Sequence, residues 1–182
     1  MRIIMKLTFI CLGIFILSSC NPKNIPWQKY TSNEGAYTVY MPAPIKKKDQ
    51  KGFSIFGRQV ISHIVYWDPP TFTIDKFKLF EVAYTDCPAN ICRDTALLNT
   101  MLDSAIITRR RDYTDAEIPI QNIELNGYAG RAFFYDGEGN MLVSVKTCIV
   151  NDRIYDFIVV SKKNYATNNE VSAFFDSFQS LK

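Results

Sequence analysis

His63 is the first candidate for a catalytic residue, because it is the only histidine in the chain. A Ser-His-Asp or Cys-His arrangement would need it as the general base. His63 stands in the middle of residues 59–67, whose β-branched and aromatic side chains predict a strand. Flanked by Ser62 and Ile64, it fits a structural histidine on a sheet surface better than a catalytic base.

The cysteines are candidate nucleophiles and candidate disulfide partners. Cys87 and Cys92 enclose a short loop and are the favoured pair in an oxidising compartment, although a pairing of Cys148 with either one stays open. Cys148 stands in a predicted strand, where it is more typical of a packed core residue than of a nucleophile. The CxxxxC spacing with one further cysteine lacks the paired spacing of a zinc site.

Acidic residues at hairpin tips are the remaining candidates for a site. Asp136, Glu138 and Asp152 fall in predicted turns, where turn chemistry explains them without a bound calcium ion. Gly137-Glu138-Gly139 also lies in a hairpin, so it does not predict a phosphate-binding loop. The sequence has no HExxH, P-loop or GxSxG motif. We therefore expect no catalytic residue, no metal and no cofactor.

The N-terminus carries the most specific functional signal. Basic residues precede an apolar run of eleven residues, Leu7 to Leu17, and two serines and Cys20 follow. This order is typical of a secretory signal, and the run is shorter than the about 20 residues of a membrane-spanning helix. Leu17-Ser18-Ser19-Cys20 resembles the lipobox of bacterial lipoproteins, which implies cleavage before Cys20 and acylation of that cysteine. The alternative is an ordinary secretory signal or membrane anchor with a chance cysteine.

The resemblance divides the chain into a lipoprotein signal peptide (1–19), a lipidated tether (20–26) and one globular domain (27–182). Two or three acyl chains would hold the protein on a membrane essentially permanently, since each buried methylene contributes about 0.8 kcal/mol. Asn21 in place of aspartate favours the outer membrane by resemblance to bacterial sorting rules. The predicted location is therefore the bacterial cell envelope, lipid-anchored to the outer membrane and facing the periplasm.

The charge of the mature chain excludes a class of partners. The 21 Lys and Arg residues lose Arg2 and Lys6 with the signal, which leaves 19 against 18 acidic residues and a net charge of +1. Nucleic-acid binding calls for a strongly basic patch, so we expect none. Lys46-Lys47-Lys48 and Arg109-Arg110-Arg111 fit solvated residues at the ends of elements, with anionic head groups as the alternative partner.

The pattern of the mature chain predicts one α+β domain, an antiparallel sheet of about six strands with helices packed on its faces. Asp94 is the expected N-cap of a first helix whose apolar stripe runs from Leu97 to Ile106. A capping box at Thr167 and Glu170 predicts a second, whose stripe continues to Leu181. The predicted extended segments are 37–40, 59–67, 76–84, 118–125, 128–135, 141–150 and 153–160.

Several short motifs together resemble a known fold. They are Trp27-Gln28-Lys29-Tyr30, the aromatic segment from Tyr37 to Pro42, Leu125-Asn126-Gly127-Tyr128 and Phe174-Phe175-Asp176-Ser177-Phe178. Their layout resembles the PsbP-like domains of secreted bacterial proteins, including many lipoproteins. The resemblance implies an α/β/α sandwich that acts as a binding or assembly module, and it implies no catalytic residue.

Three functions remain compatible with the sequence. The first is a non-enzymatic module that binds an envelope partner, with an exposed aromatic patch formed by Trp67, Phe72 and Phe77. The second is a carrier of a small apolar ligand or lipid in a cavity between sheet and helix. The third is an enzyme that uses Cys148 or His63. We rank them in this order.

Overall fold

The computed structural model describes residues 25–55, 58–69, 76–87, 94–111 and 117–181, and its main element is a seven-stranded sheet in which neighbouring strands run antiparallel. This is one strand more than the six expected. In spatial order the strands are Lys46–Ile55 (β3), Arg58–Trp67 (β4), Phe77–Asp86 (β5), Arg153–Lys162 (β9), Met141–Val150 (β8), Tyr128–Gly137 (β7) and Gln121–Leu125 (β6).

In the part of the chain that the structure describes, a second, small sheet and two helices cover the two faces of the large one. The strands of the small sheet lie in the order Trp27–Ser32 (β1), Tyr37–Pro42 (β2) and Gln179–Ser180 (β10). The described helices are Thr95–Arg111 (α1) and Asn169–Asp176 (α2), and Lys163–Tyr165 form a 3-10 turn. The small sheet and α2 share one face of the large sheet and α1 lies on the other, which is the expected α/β/α arrangement.

The sequence did not predict β3 of the large sheet, nor β1 and β10 of the small one. For β3 the reason is visible in its residues. It begins with three lysines and so has none of the apolar alternation that indicates a half-buried strand. β3 is an edge of the large sheet, where lysines discourage pairing with a second chain. The lysine run also makes local contacts, since Lys46 pairs with Asp68 and Lys48 lies 3.8 Å from Glu81.

A β-bulge in β5 changes the expected alternation of its side chains. The pairing of β5 with β9 shifts register between Phe77 and Leu79. Phe77 therefore packs in the same buried cluster as Phe80 and Val82, whereas strict alternation predicts that it shares a face with Leu79.

Aromatic rings fill the layer between the large sheet and α2. Phe174 of α2 contacts Phe80 and Phe157, with ring centroids 5.2 and 6.3 Å apart. Phe178 contacts Tyr155 and Phe157 at 5.1 and 4.8 Å. All five rings are buried, and burying one such side chain contributes about 1.5 to 3 kcal/mol.

The apolar stripe of α1 lies where the sequence predicts. Met101 and Leu102 pack with Ile149 of β8 and Ile154 of β9 in one buried cluster. Leu97 departs from the prediction, because 39% of its surface is exposed. Asp94, the expected N-cap, directly precedes the helix.

The turn between β1 and β2 is held against β9. The Gly35 amide donates to the Ser32 hydroxyl at 2.9 Å, and the Gly35 carbonyl accepts from the Tyr155 hydroxyl at 2.7 Å. A Cβ at position 35 would lie 2.5 Å from the Tyr37 ring, so only glycine fits there. These contacts fix the position of the neighbouring residue, Glu34, at the surface.

The second helix starts one residue later than expected. Its N-cap is Asn168, whose Oδ1 accepts from the Val171 amide at 2.9 Å, and whose Nδ2 donates to Glu170 at 2.7 Å. The capping box that the sequence suggested at Thr167 is therefore wrong, although Glu170 takes part in the observed cap.

The C-terminal end of the same helix also differs from the prediction. The helix ends at Asp176, and Gln179–Ser180 pairs with Thr38 and Tyr37 of β2. Leu181 lies beyond the helix and is 44% exposed. The expected continuation of the apolar stripe to this residue is wrong, because pairing with β2 satisfies the backbone there instead.

Candidate functional site

His63 is partly exposed and lies on the large sheet between two cross-strand partners. Asp49 of β3 is opposite it on one side and Tyr84 of β5 on the other, and residues directly opposite each other share a face. The Nδ1 atom of His63 lies 2.9 Å from Oδ1 of Asp49. Its ring stacks on Tyr84, with centroids 4.8 Å apart and planes inclined by 23°.

Arg153 brings an ion pair to the same tyrosine. Its Nε donates to Oδ1 of Asp86 at 2.6 Å, and its Nη1 donates to the Glu34 carbonyl. The guanidinium carbon lies 5.1 Å from the centre of the Tyr84 ring, a cation–π distance. Tyr84 therefore contacts both the imidazole of His63 and the guanidinium of Arg153.

These groups line an open depression of about 840 Å³, which we call the His63 pocket. Its volume lies within the range of small-molecule sites. Such sites are lined mainly by apolar side chains, whereas most residues that line this pocket are charged. A second depression of about 370 Å³ adjoins it and shares Asp86 and Arg153. The eight lining residues of the His63 pocket are Glu34, Lys47, Lys48, Asp49, His63, Tyr84, Asp86 and Arg153.

The floor of the pocket has a defined charge at neutral pH. Burial raises the pKa of Tyr84, and the acids Glu34, Asp86 and Asp49 add to this while Arg153 opposes it. Burial lowers the pKa of Arg153, but the hydrogen bond and the charge of Asp86 outweigh it, so the net pKa is raised. Tyr84 is thus a neutral phenol and Arg153 a permanent cation.

The described lining of the pocket has no serine, threonine or cysteine nucleophile for acyl transfer. The Asp49–His63 pair therefore has no aliphatic hydroxyl or thiol of the lining to activate. Within the described ranges, no group of three or more His, Cys, Asp or Glu side chains is placed to hold a metal ion. What the pocket offers is paired charges, aromatic faces and hydrogen-bonding groups.

The structure also locates the candidate nucleophile Cys148. It is free, fully buried and packed in the aromatic cluster. Burial, with a smaller contribution from Asp156, raises the pKa of its thiol far above the usual range. A buried neutral thiol is neither accessible nor nucleophilic, so Cys148 is a packed core residue and the described structure gives no support to an enzyme mechanism based on it.

Of the two cysteines in the expected disulfide, Cys87 is described by the structure and Cys92 is not. Cys87 is disulfide-bonded, and because Cys148 is free, the alternative pairings with Cys148 are wrong. Cys92 lies outside the described residues, so its pairing with Cys87 stays a prediction.

The expected exposed aromatic patch is wrong for the two members that the structure describes. Trp67 is 2% exposed and Phe77 is fully buried. The Trp67 indole donates to the Ala43 carbonyl at 3.2 Å, and Phe77 packs edge-on against Phe80. Both side chains belong to the core. Phe72 lies outside the described residues.

The sequence did not reveal the His63 pocket. The single signal was His63 itself, which indeed lies on a sheet surface. Asp49 was missed because β3 was not predicted, and Arg153 and Asp86 lie far apart in sequence and meet only through the pairing of β5 with β9.

Cys20, the predicted acylation site, and the predicted signal peptide 1–19 lie outside the described part of the chain. Of the helices in the described ranges, none combines the length and apolar character needed to cross a bilayer.

Comparisons with known proteins bear on the fold. No protein-family model and no curated protein matches the chain. The solution structure of the cyanobacterial PsbP protein CyanoP from Synechocystis sp. PCC 6803 matches with a TM-score of 0.50 and 14% identity, covering 90% of this chain and 98% of that one.

A second solved structure is similar to a lesser degree. It is LpqN of Mycobacterium tuberculosis, described as involved in cell envelope biogenesis, with a TM-score of 0.42 and 9% identity over 87% of this chain and 92% of that one. The match to CyanoP and the observed layers agree with the resemblance found in the sequence: the chain has a PsbP-like fold.

Proposed function

We propose that this protein is a lipid-anchored lipoprotein of the bacterial envelope that acts as a non-enzymatic binding module, and that it binds a polar segment of an envelope partner in the His63 pocket. The observation that carries the proposal is the pocket itself. Charged, aromatic and hydrogen-bonding groups converge there, with no serine, threonine or cysteine among the described lining residues.

The anchor part of the proposal is supported by the N-terminal sequence. An apolar run of eleven residues followed by Ser18-Ser19-Cys20 has the features of a signal that ends in an acylated cysteine. The proposed division is a signal peptide at 1–19, a tether at 20–26 and the domain at 27–182. Lipid on Cys20 is the proposed contact with the membrane, at the periplasmic face of the outer membrane.

The binding part is supported by the chemistry of the pocket lining. Lys47 and Arg153 line the pocket together with Glu34, Asp49 and Asp86, around the His63–Tyr84 stack. A lining with both signs of charge matches a polar peptide or protein surface that also carries both signs, and this complementarity favours specificity.

The carrier alternative has less support from the described residues. The layer between sheet and α2, where the sequence suggested a ligand cavity, is occupied by rings in mutual contact. The large depression at the described surface is charged rather than apolar. An apolar ligand would gain little from such a lining.

The test uses two exposed aspartates that are closely matched. The Asp49 side chain is 72% exposed and pairs with His63, whereas Asp136 is 70% exposed and pairs with Lys163 at 2.7 Å on the β7–β8 hairpin. The full-length chain and its Asp49→Ala, His63→Ala and Asp136→Ala variants would be expressed in a bacterial host. Chemical crosslinking in intact cells and quantitative mass spectrometry would then identify the bound envelope proteins.

We expect a partner whose crosslinked yield falls at least fivefold in Asp49→Ala and His63→Ala but is unchanged in Asp136→Ala. Equal yields in all variants, or an equal loss in all three, would exclude the pocket as the binding surface. The intact mass of the same protein tests the anchor, since an acylated chain starting at Cys20 is expected. A chain that is uncleaved, or cleaved without lipid, would overturn that part.

A further inference from the structure

The outer face of the small sheet carries a stacked aromatic pair. Trp27 and Tyr40 stack with ring centroids 5.4 Å apart and planes inclined by 27°. Tyr40 is 41% exposed and Trp27 is partly exposed. Lys29 is the direct cross-strand partner of Tyr40, so its side chain shares this outer face.

The opposite side of the small sheet fixes the direction of this outer face. Tyr37, Val39 and Met41 alternate with Tyr40 along β2 and are fully buried against the large sheet. Tyr40 must therefore point away from the domain. Trp27 packs edge-on against Phe80 at 5.2 Å, which holds the indole at the border of this face.

The chain enters the domain beside the same aromatic pair. The Pro26 carbonyl accepts from the Ala43 amide at 2.8 Å, and Ile25 packs against the core. Trp27 follows Cys20 by seven residues, and seven extended residues reach about 25 Å. A chain that is acylated at Cys20 thus has its Trp27 side chain within this distance of the bilayer.

Tryptophan and tyrosine have the chemistry of the membrane–water interface. Their rings are apolar while the indole N–H and phenol O–H form hydrogen bonds, so both residues are enriched at the level of the lipid head groups. A nearby lysine can extend its ammonium to the lipid phosphates. Trp27, Tyr40 and Lys29 combine these three groups on one surface next to the point where the tether begins.

We propose that Trp27, Tyr40 and Lys29 form a membrane-contact surface that rests on the head groups of the bilayer holding the tether. This inference rests on the proposed lipid anchor and adds an orientation to it. With the outer face of β1 and β2 on the membrane, α1, on the far side of the large sheet, points away from it.

The experiment measures tryptophan depth in the bilayer. The full-length chain is purified from membranes and reconstituted in vesicles of phosphatidylcholine and phosphatidylglycerol, with and without acyl chains brominated near the head-group end, which quench nearby indoles. The chain has two tryptophans, and Trp67 is 2% exposed in the core, so quenching reports on Trp27. Trp27→Phe identifies the quenched residue, Tyr40→Ser tests the stacked pair, and Leu97→Ser is a control on α1 that is comparably exposed at 39%.

We expect quenching of about half the Trp27 emission, its absence in Trp27→Phe, at least a twofold reduction in Tyr40→Ser and no change in Leu97→Ser. A chain that is acylated by mass but not quenched would overturn the contact surface and leave the anchor intact. Quenching with an uncleaved signal in place of lipid would support the surface and overturn the anchor. A chain that does not attach to the vesicles at all would overturn both.

Discussion

The Nδ1 atom of His63 lies 2.9 Å from Oδ1 of Asp49, and the two residues are direct partners in the pairing of β3 with β4. The contact depends on the register of this edge pair, because a shift by one residue would send one side chain to the other face. The His63 pocket is thus a product of strand pairing at the edge of the large sheet.

The Asp49–His63 contact should matter little for stability. Both side chains are exposed, at 72% and 36%, and exposed ion pairs contribute about 1 kcal/mol or less. We expect Asp49→Ala and His63→Ala to lower the free energy of unfolding by no more than this, as measured by urea denaturation. A loss of several kcal/mol in either variant would mean that the pair is structural, and the binding test would then need correction for unfolding.

Removing two buried tyrosine hydroxyls should change the free energy of unfolding in different ways. The Tyr37 hydroxyl is buried with no hydrogen-bond partner in the described part of the chain, whereas the Tyr155 hydroxyl donates to the Gly35 carbonyl at 2.7 Å. Tyr37→Phe should leave the free energy of unfolding at neutral pH unchanged or raise it. Tyr155→Phe should lower it by about 1 kcal/mol or more, because a buried carbonyl loses its donor. Equal effects in urea denaturation would contradict this difference.

The protein should lose stability at alkaline pH. Burial raises the folded-state pKa of Tyr37, Tyr84, Tyr155 and Cys148. A group with a raised folded pKa stabilises fully below its unfolded pKa, near 10 for tyrosine and 8.5 for cysteine, and this stabilisation is lost as the pH rises above that value. Lys146 contributes to the pH dependence in the opposite direction. Burial lowers its folded-state pKa, so the destabilisation that it causes is relieved as the pH rises.

The alkaline loss should be smaller in a variant that lacks the most affected hydroxyl. Tyr37→Phe removes a group whose folded pKa lies beyond the accessible range, so stability should fall less steeply above pH 10 than in the parent chain. Thermal unfolding followed by circular dichroism at a series of pH values measures the two slopes. Parallel slopes would show that Tyr37 ionises freely in the folded protein.

The start of α2 provides a matched pair of substitutions. Asn168→Ala removes the side chain that caps the Val171 amide and should lower the free energy of unfolding by about 1 kcal/mol. Thr167→Ala changes the neighbouring residue, which the sequence pattern suggested as the cap, and should have a much smaller effect. The reverse order in chemical denaturation would restore the sequence-based assignment.

Thiol reactivity should separate Cys148 from the predicted disulfide. Cys148 should resist alkylation in the folded protein, because its thiol is buried and its pKa is raised. In denaturant without reductant, we expect the mature chain to label at Cys148 alone, as read by peptide mass spectrometry. Labelling of Cys87 or Cys92 under these conditions would contradict their pairing, and the Cys148→Ala variant controls for the assignment.

Local patterns were sufficient for the elements that have a clear hydrophobic period. The strands from Tyr128 to Val160 and the stripe of α1 were predicted close to their observed bounds, because alternation and helical spacing are visible within each segment. The same reasoning failed for β3, whose lysines and aspartate hide the strand period. It also failed for Phe77, where a bulge interrupts the alternation.

The sequence by itself determined the α+β class, the PsbP-like layout and the lipobox-like end of the apolar run, since each depends on residues that are close together in the chain. Only the tertiary structure decided which aromatic residues are core and which side chains meet at a surface. Trp67 is buried and Tyr40 is exposed, although both stand in aromatic strands, because burial depends on which layer covers each strand. The meeting of His63, Tyr84 and Arg153 likewise requires β4, β5 and β9 to lie side by side, and that order is fixed by long-range pairing that leaves no local mark in the sequence.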